Sequence, residues 1–269
     1  MRPFFMPVGP GTRFCIVHAA ARPQGAMLYV HPFAEEMNRC RRMAALQSRA
    51  FAKAGWTGLQ MDLHGCGDSS GDFGDATWQS WLDDIEEGRA WLERETGCRP
   101  AFWGLRAGCL LAAQAACRLK EAPPMLFWQP TLSGKQHLQQ FLRLNLGTHI
   151  VNQADGPPAG ARGLREQLAQ GEPVEVVGYT VSPDLASGLE SAALSAPKGR
   201  APIAWLEVQS VDEPALAPAS SRLVQEWAHA GHDVRAKAVR GPAFWQTSEI
   251  TECPALIDAS LDGVRSWAH

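Results

Sequence analysis

No stretch of this chain comes near the roughly 20 consecutive apolar residues that a membrane-spanning helix needs. The opening MRPFFMPVGPG has only a short apolar run, broken by prolines, and lacks the layout of a secretory signal. The seven cysteines form no CxxC pair and no zinc-ligand spacing. Cys15, Cys40, Cys66, Cys98, Cys109, Cys117 and Cys253 therefore read as reduced thiols rather than a disulfide framework. Internal repeats and low-complexity tracts are lacking as well. Basic residues are scattered apart from Arg39, Arg41 and Arg42, and the net charge is -3, so nucleic acid is not an expected partner. These absences point to a cytoplasmic protein with no integral membrane segment, no resident metal and no cofactor motif.

What is present is a chain of 269 residues, 45% hydrophobic and 20% charged. That balance suits a soluble globular domain able to bury a core. Short β-type runs alternate with helical patterns. Strands are expected at Phe14–Ala19, Met27–Val30, Trp56–Leu63, Pro100–Gly104, Met125–Gln129, Ile203–Val208 and Val234–Val239. Helices are expected at Cys40–Ala54, Trp78–Gly97, Cys109–Lys120, Ser221–Ala230 and Ala255–Trp267, several of them stopped by a glycine. Such alternation predicts an α/β architecture, a mostly parallel twisted sheet with helices on both faces.

The alternation breaks after Pro130. Residues 131–200 hold a Gly/Pro-rich centre at Gly156–Gly163, helical pieces at His137–Leu146 and Gly163–Gln170, and a β-like Val174–Thr180. The expected organisation is therefore a core in two parts, 1–130 and 201–269, with 131–200 inserted as a cap or lid.

Three local patterns carry chemistry. Met61-Asp62-Leu63-His64-Gly65-Cys66-Gly67-Asp68-Ser69-Ser70-Gly71 resembles the D-x-R-G-x-G-x-S loop of α/β-hydrolases. His31-Pro32-Phe33 resembles the turn after an early strand whose backbone N–H forms part of an oxyanion hole. Gly104-Leu105-Arg106-Ala107-Gly108 resembles the G-x-S-x-G nucleophile elbow, with arginine at its centre. The fuller string His31–Asn38, with Gly104-Leu105-Arg106 and Trp128-Gln129-Pro130…Gly134-Lys135-Gln136, resembles a bacterial subfamily, the exosortase A system-associated hydrolase 2 (ortholog 2) family. The resemblance implies an α/β-hydrolase fold. It also implies a setting beside exosortase/PEP-CTERM sorting and exopolysaccharide genes, with a companion α/β-hydrolase-like protein.

By the same resemblance, the positions of a Ser–His–Asp triad fall on Arg106, on Phe244 or Trp245, and on Asp212. A guanidinium stays protonated and has no usable lone pair, so Arg106 is not a nucleophile. An anion held against it is one expectation, and a structural ion pair is another, with Asp212 as the expected partner. The loop Arg240–Thr247 contains no histidine, and His229 and His232 are expected to be exposed or capping. Pocket candidates are His31, Pro32, Phe33, Leu105, Arg106 and Ala107. Ligand-binding candidates are Arg106, Glu35, Trp128 and Trp245.

Other nucleophiles were available by residue type: Ser69, Ser70, Ser133, Cys66 and Cys109. Glu35 and Glu36 either begin a helix or act as a general base. The aromatic load of Trp103, Phe127, Trp128, Phe244 and Trp245 is either core packing or the wall of an apolar pocket. Three functions follow from these readings. The chain binds a small anionic or acyl-containing molecule or a partner, or is an ester, thioester or acyl-transfer enzyme with unusual groups, or serves as a scaffold for the companion protein.

Overall fold

A computed structural model describes residues 1–152 and 160–267, with the side chains of 145–152 and 161 outside that description. Residues 156–159 of the expected Gly/Pro-rich stretch lie outside the described residues.

Eight strands form one sheet, in the order β1-β2-β4-β3-β5-β6-β9-β10. They are β1 (Arg2–Val8), β2 (Gly11–His18), β3 (Gly25–Val30), β4 (Trp56–Met61), β5 (Pro100–Leu105), β6 (Met125–Trp128), β9 (Ile203–Gln209) and β10 (Val234–Arg240). β1 and β2 pair antiparallel, β2 pairs antiparallel with β4, and every pairing from β4 to β10 is parallel. The parallel crossovers are made by α1 (Glu35–Lys53), α2 (Trp78–Thr96), α3 (Gly108–Cys117) and α7 (Pro218–His229), and α8 (Pro254–Val264) closes the fold.

β1 is not among the expected strands, and it carries Pro3 and Pro7. It sits at the sheet edge, where a proline leaves no ladder bond unmade on its outer side.

β3 to β6 and β9 are buried on both faces, as crossover helices on each side require, while β10 at the edge is largely exposed or half-buried. Within β5 the side chains alternate: Phe102 joins the core under α2 and α3, while Ala101 and Trp103 join the core under α1 and α8. The first core also holds Leu28, Ile85, Leu110 and Trp205. The second holds Met43, Phe51, Trp128, Phe244 and Leu256.

Between β6 and β9 the chain runs through α4 (Gly134–Asn152), α5 (Ala161–Ala169), a hairpin of β7 (Val174–Val176) and β8 (Tyr179–Val181), and α6 (Pro183–Ser191). The expected single β-like run Val174–Thr180 is thus two short strands turning at Val177-Gly178. α6 had no counterpart in the sequence reading. Ser182 caps it, its hydroxyl accepting from the Leu185 N–H at 3.2 Å, and Pro183 takes the first helical position.

One feature of the topology places the site. From β3 the chain steps to β4 on one side, while β5, β6, β9 and β10 extend the sheet on the other. The order reverses between β3 and β5, and in open α/β sheets the crevice beyond the carboxyl ends of such strands is where ligands bind.

Candidate functional site

The two loops at this crevice are both unusual in backbone. β5 ends at Leu105, and Arg106 turns the chain into α3 with φ 55°. An arginine in the left-handed region is strained, and such strain persists only where the surroundings enforce it. Here its N–H donates to Trp128 O at 3.0 Å, and its carbonyl accepts from the N–H groups of Cys109 at 3.0 Å and Thr131 at 3.2 Å. The flanking glycines are needed for close approach. A Cβ on Gly104 would stand 2.7 Å from Cys109 Cα, and one on Gly108 would stand 2.3 Å from Val30 O. The second loop follows β3: Ala34, with φ 47°, leads directly into Glu35 and Glu36 at the start of α1.

Arg106 projects into a cavity of about 260 Å³. Its floor and walls come from Phe33, Glu35, Glu36 and Arg39 on one side, His137, Gln140, Phe141 and Leu144 of α4 above, and Trp245 with Gln246 from the loop after β10. Arg106 Nε donates to Glu36 Oε1 at 3.1 Å, and the guanidinium carbon lies 5.6 Å from the centre of the Trp245 ring. Arg39 Nη1 reaches the Trp245 carbonyl at 3.5 Å.

Several polar atoms of this cluster are buried without partners among the described residues: Oε2 of Glu35, Oε2 of Glu36, Nδ1 of His137 and Nε1 of Trp245. A buried polar group left unpaired costs about 1–3 kcal/mol, so their concentration around one cavity marks a site rather than ordinary core.

Burial sets the protonation. Desolvation pushes the Glu36 carboxyl up to about 7, against the pull of Arg106. It raises the Glu35 carboxyl in the same sense. His137 is driven down to about 3 by burial, helped by the positive charge of Arg106, and is a neutral imidazole across the physiological range.

The sequence candidates divide sharply. Arg106, Glu35, Trp245 and Phe33 line the cavity. His31, Pro32, Leu105, Ala107 and Trp128 do not. The His31 ring instead ties two loops together: Nδ1 lies 2.8 Å from Pro32 O, and Nε2 accepts from the Leu63 N–H at 3.3 Å. Leu105 is part of the core under α1 and α8. Ala107 is buried at the start of α3. Trp128 is fully buried beneath the site, its indole N–H donating to Ser260 Oγ at 2.8 Å.

The expected Arg106–Asp212 pair does not form. Asp212 is exposed after β9 and bonds Arg240 at 2.8 Å, because the loop carrying it runs outward, while Glu36 already occupies the guanidinium. Phe244, the other aromatic candidate, packs into the core against Trp128.

None of the alternative nucleophiles reaches the cavity. Ser69 donates to Asp62 O, Ser70 accepts from the Thr12 N–H, and Ser133 accepts from the Gln136 N–H at the start of α4. Cys66 and Cys109 are buried, and desolvation raises both thiols far above their usual range. His229 is exposed, as expected, in the last turn of α7, whereas His232 is half-buried against the Trp227 ring rather than exposed.

Sequence reasoning missed His137. The signal was there: His137, Gln140, Phe141 and Leu144 recur at i, i+3, i+4 and i+7, one face of a helix. The resemblance puts the triad histidine in the loop after the last strand, and His137 stands on α4 instead.

Solved structures of the same shape decide the fold. The chain has the α/β-hydrolase fold. It superposes on Est1E from Butyrivibrio proteoclasticus, a structure with ferulic acid bound, at a TM-score of 0.65 and 12% identity, covering 97% of this chain and 99% of that one. The α/β hydrolase GrgF from Penicillium sp. sh18 gives 0.63 at 16% identity, with 98% of both chains covered. A soluble variant of the monoglyceride lipase from Saccharomyces cerevisiae gives 0.62 at 12% identity, covering 98% and 94%. No family model and no curated protein matches the sequence.

Proposed function

We propose that this chain is an α/β-hydrolase-fold protein whose triad serine and histidine positions hold Arg106 and Trp245, and that it binds a small anionic molecule at that centre instead of cleaving an ester by a serine mechanism. The observation that carries this is the Arg106 guanidinium at the strand–helix corner. It is clamped on one edge by Glu36 and covered by Trp245, and its two amino groups have no partner among the described residues. A guanidinium with free N–H groups in a partly enclosed cavity is a carboxylate receptor. The volume of about 260 Å³ lies just under the ~300 Å³ where ligand cavities commonly begin. It suits a short acyl carboxylate better than a polyprenyl chain. Phe33, Phe141 and Leu144 would pack the apolar part, with α4 acting as the lid over the site.

The resemblance carried by His31–Asn38 and Gly104–Arg106 supports a role in exosortase-linked exopolysaccharide or protein-sorting biology, beside a companion hydrolase-like protein. The seven unpaired cysteines support a cytoplasmic location.

The test uses hexanoate and the full chain. Calorimetry is expected to show binding that weakens about 10–100-fold in Arg106→Met, the loss of charge-assisted hydrogen bonds worth about 1.5–3 kcal/mol. Turnover of p-nitrophenyl acetate is expected to stay at the buffer background. Wild-type turnover lost in a single cavity variant would reject the reading.

A second reading, an ester or thioester hydrolase using Glu36 as general base, is favoured by the Glu36 carboxyl standing near 7, the range such a base needs. It requires turnover that Glu36→Gln abolishes.

A further inference from the structure

The cavity holds two cations, Arg39 and Arg106, and two carboxyl groups, Glu35 and Glu36. With both carboxylates ionised the cluster has no net positive charge to offer. Glu36 lies directly on the guanidinium, at 3.1 Å from Nε, so an anion arriving at the amino groups meets a carboxylate already sharing that charge. Glu36 also keeps one oxygen, Oε2, buried and without a donor among the described residues. Both facts are relieved together if that carboxylate becomes a carboxylic acid when the anion binds.

We propose that the Arg106 cavity takes up a weak acid as an anion together with one proton, and that Glu36 is the residue that carries the proton. This rests on the reading that the cavity binds a carboxylate. The balance is simple: solvent supplies the proton, Glu36 holds it, and the guanidinium keeps its charge for the ligand. The selected ligand class is a monocarboxylate. A dianion such as a phosphate monoester would need a second cation beyond the one that Glu36 protonation releases.

The surroundings assign the proton to Glu36. On α1, Glu35, Arg39 and Cys40 stand around it. Arg106 faces it from the elbow, His137 of α4 lines the same cavity, and the Glu35 carboxyl acts in turn on Tyr179 of β8. Arg39 and Arg106 stay charged at any working pH. Burial holds Cys40 and Tyr179 protonated and His137 neutral. That leaves the two carboxyls. Glu36 is the more deeply buried of the two and the one bonded to Arg106.

Hexanoate, a carboxylate ionised throughout pH 6–9, is titrated into the full chain in buffers of differing ionisation enthalpy. Above pH 7 the expected proton uptake approaches one per hexanoate, and affinity falls about tenfold per pH unit. Below pH 6.5 both effects fade. Glu36→Gln is expected to bind with no proton uptake and no pH slope, so that at pH 9 it holds hexanoate on the order of 100-fold more tightly than wild type. Glu35→Gln is expected to keep the slope.

Binding that is independent of pH in wild type overturns the proposal and leaves the carboxylate reading standing. A slope lost in Glu35→Gln and kept in Glu36→Gln also overturns it. No hexanoate binding at any pH overturns the reading beneath it, and the proposal falls with that reading. Thermal melts of each variant separate a lost slope from a lost fold, and wild-type proton uptake needs no variant at all.

Discussion

The indole of Trp245 lies over the guanidinium of Arg106, ring centre to Cζ 5.6 Å. On the proposed reading these are the positions that a triad's histidine and serine would take, and here they make a cation–π contact. Reversing both is expected to leave the protein inert. In Arg106→Ser/Trp245→His the third member is still lacking, because Asp212 sits at the surface on Arg240 rather than behind the imidazole. Without a carboxylate to fix its tautomer, a histidine loses most of its value as a base. Hydrolysis of p-nitrophenyl butyrate by the double variant is expected to match the buffer blank. A rate above it that Asp212→Asn then removes would show that Asp212 can reach the site.

The elbow itself is a close-approach problem. A methyl group at position 108 would lie 2.3 Å from Val30 O and 2.6 Å from His31 O, both backbone atoms of the neighbouring strand and turn. Neither can yield without opening the β3–β5 pairing. Gly108→Ala is expected to cost about 3 kcal/mol, the upper end of overpacking, measured by urea denaturation. A loss under about 1 kcal/mol would mean the turn can relax and that its geometry is not fixed by contact.

Much of this fold was legible because its signals are local. The periodicity of β3 to β6, β9 and β10 and the glycine frame at 104 and 108 depend on neighbours a few residues away. The site was only half legible. Arg106 announced itself by chemistry, since a cation stood where a hydroxyl was expected. Its partners did not. Glu36 is 70 residues distant in sequence and looked like an acidic helix start, which it also is. His137 belongs to a segment whose packing over the sheet has no sequence period shared with the core. Asp212 misled for the converse reason: a loop can keep a family-like pattern while its backbone turns the carboxylate outward.

Trp128 shows the same limit from within the core. Aromatic composition near the crevice suggested a ligand wall, yet strand alternation sends its ring to the face under α8, where it bonds Ser260. Trp128→Phe is expected to cost about 2 kcal/mol through the lost hydrogen bond and the smaller ring. Hexanoate affinity is expected to stay within about twofold of wild type, under the ~1.4 kcal/mol that a tenfold change requires. A tenfold drop in affinity with an unchanged melting profile would put the residue back in the site.

The dependence of stability on pH tests the electrostatics of the cavity apart from any ligand. Glu36 is raised from 4.5 to about 7 in the folded chain. Between those values the unfolded chain releases a proton that the folded one keeps. Stability from this group is therefore full below 4.5, falls by about 3 kcal/mol as pH rises to 7, and is level above. His137, lowered from 6.5 to about 3, works in the opposite direction. Its contribution is full above 6.5, and about 5 kcal/mol is lost as pH falls toward 3, because the unfolded imidazole takes up a proton that the buried one refuses. From pH 4.5 to 6.5 the two nearly cancel in wild type. Single variants expose each: relative to wild type, Glu36→Gln should gain stability with rising pH across this window, and His137→Gln should lose it. Urea midpoints at half-unit intervals measure both. If either difference from wild type is flat with pH, that group titrates normally in the folded protein and does not sit in the desolvated cluster described for it.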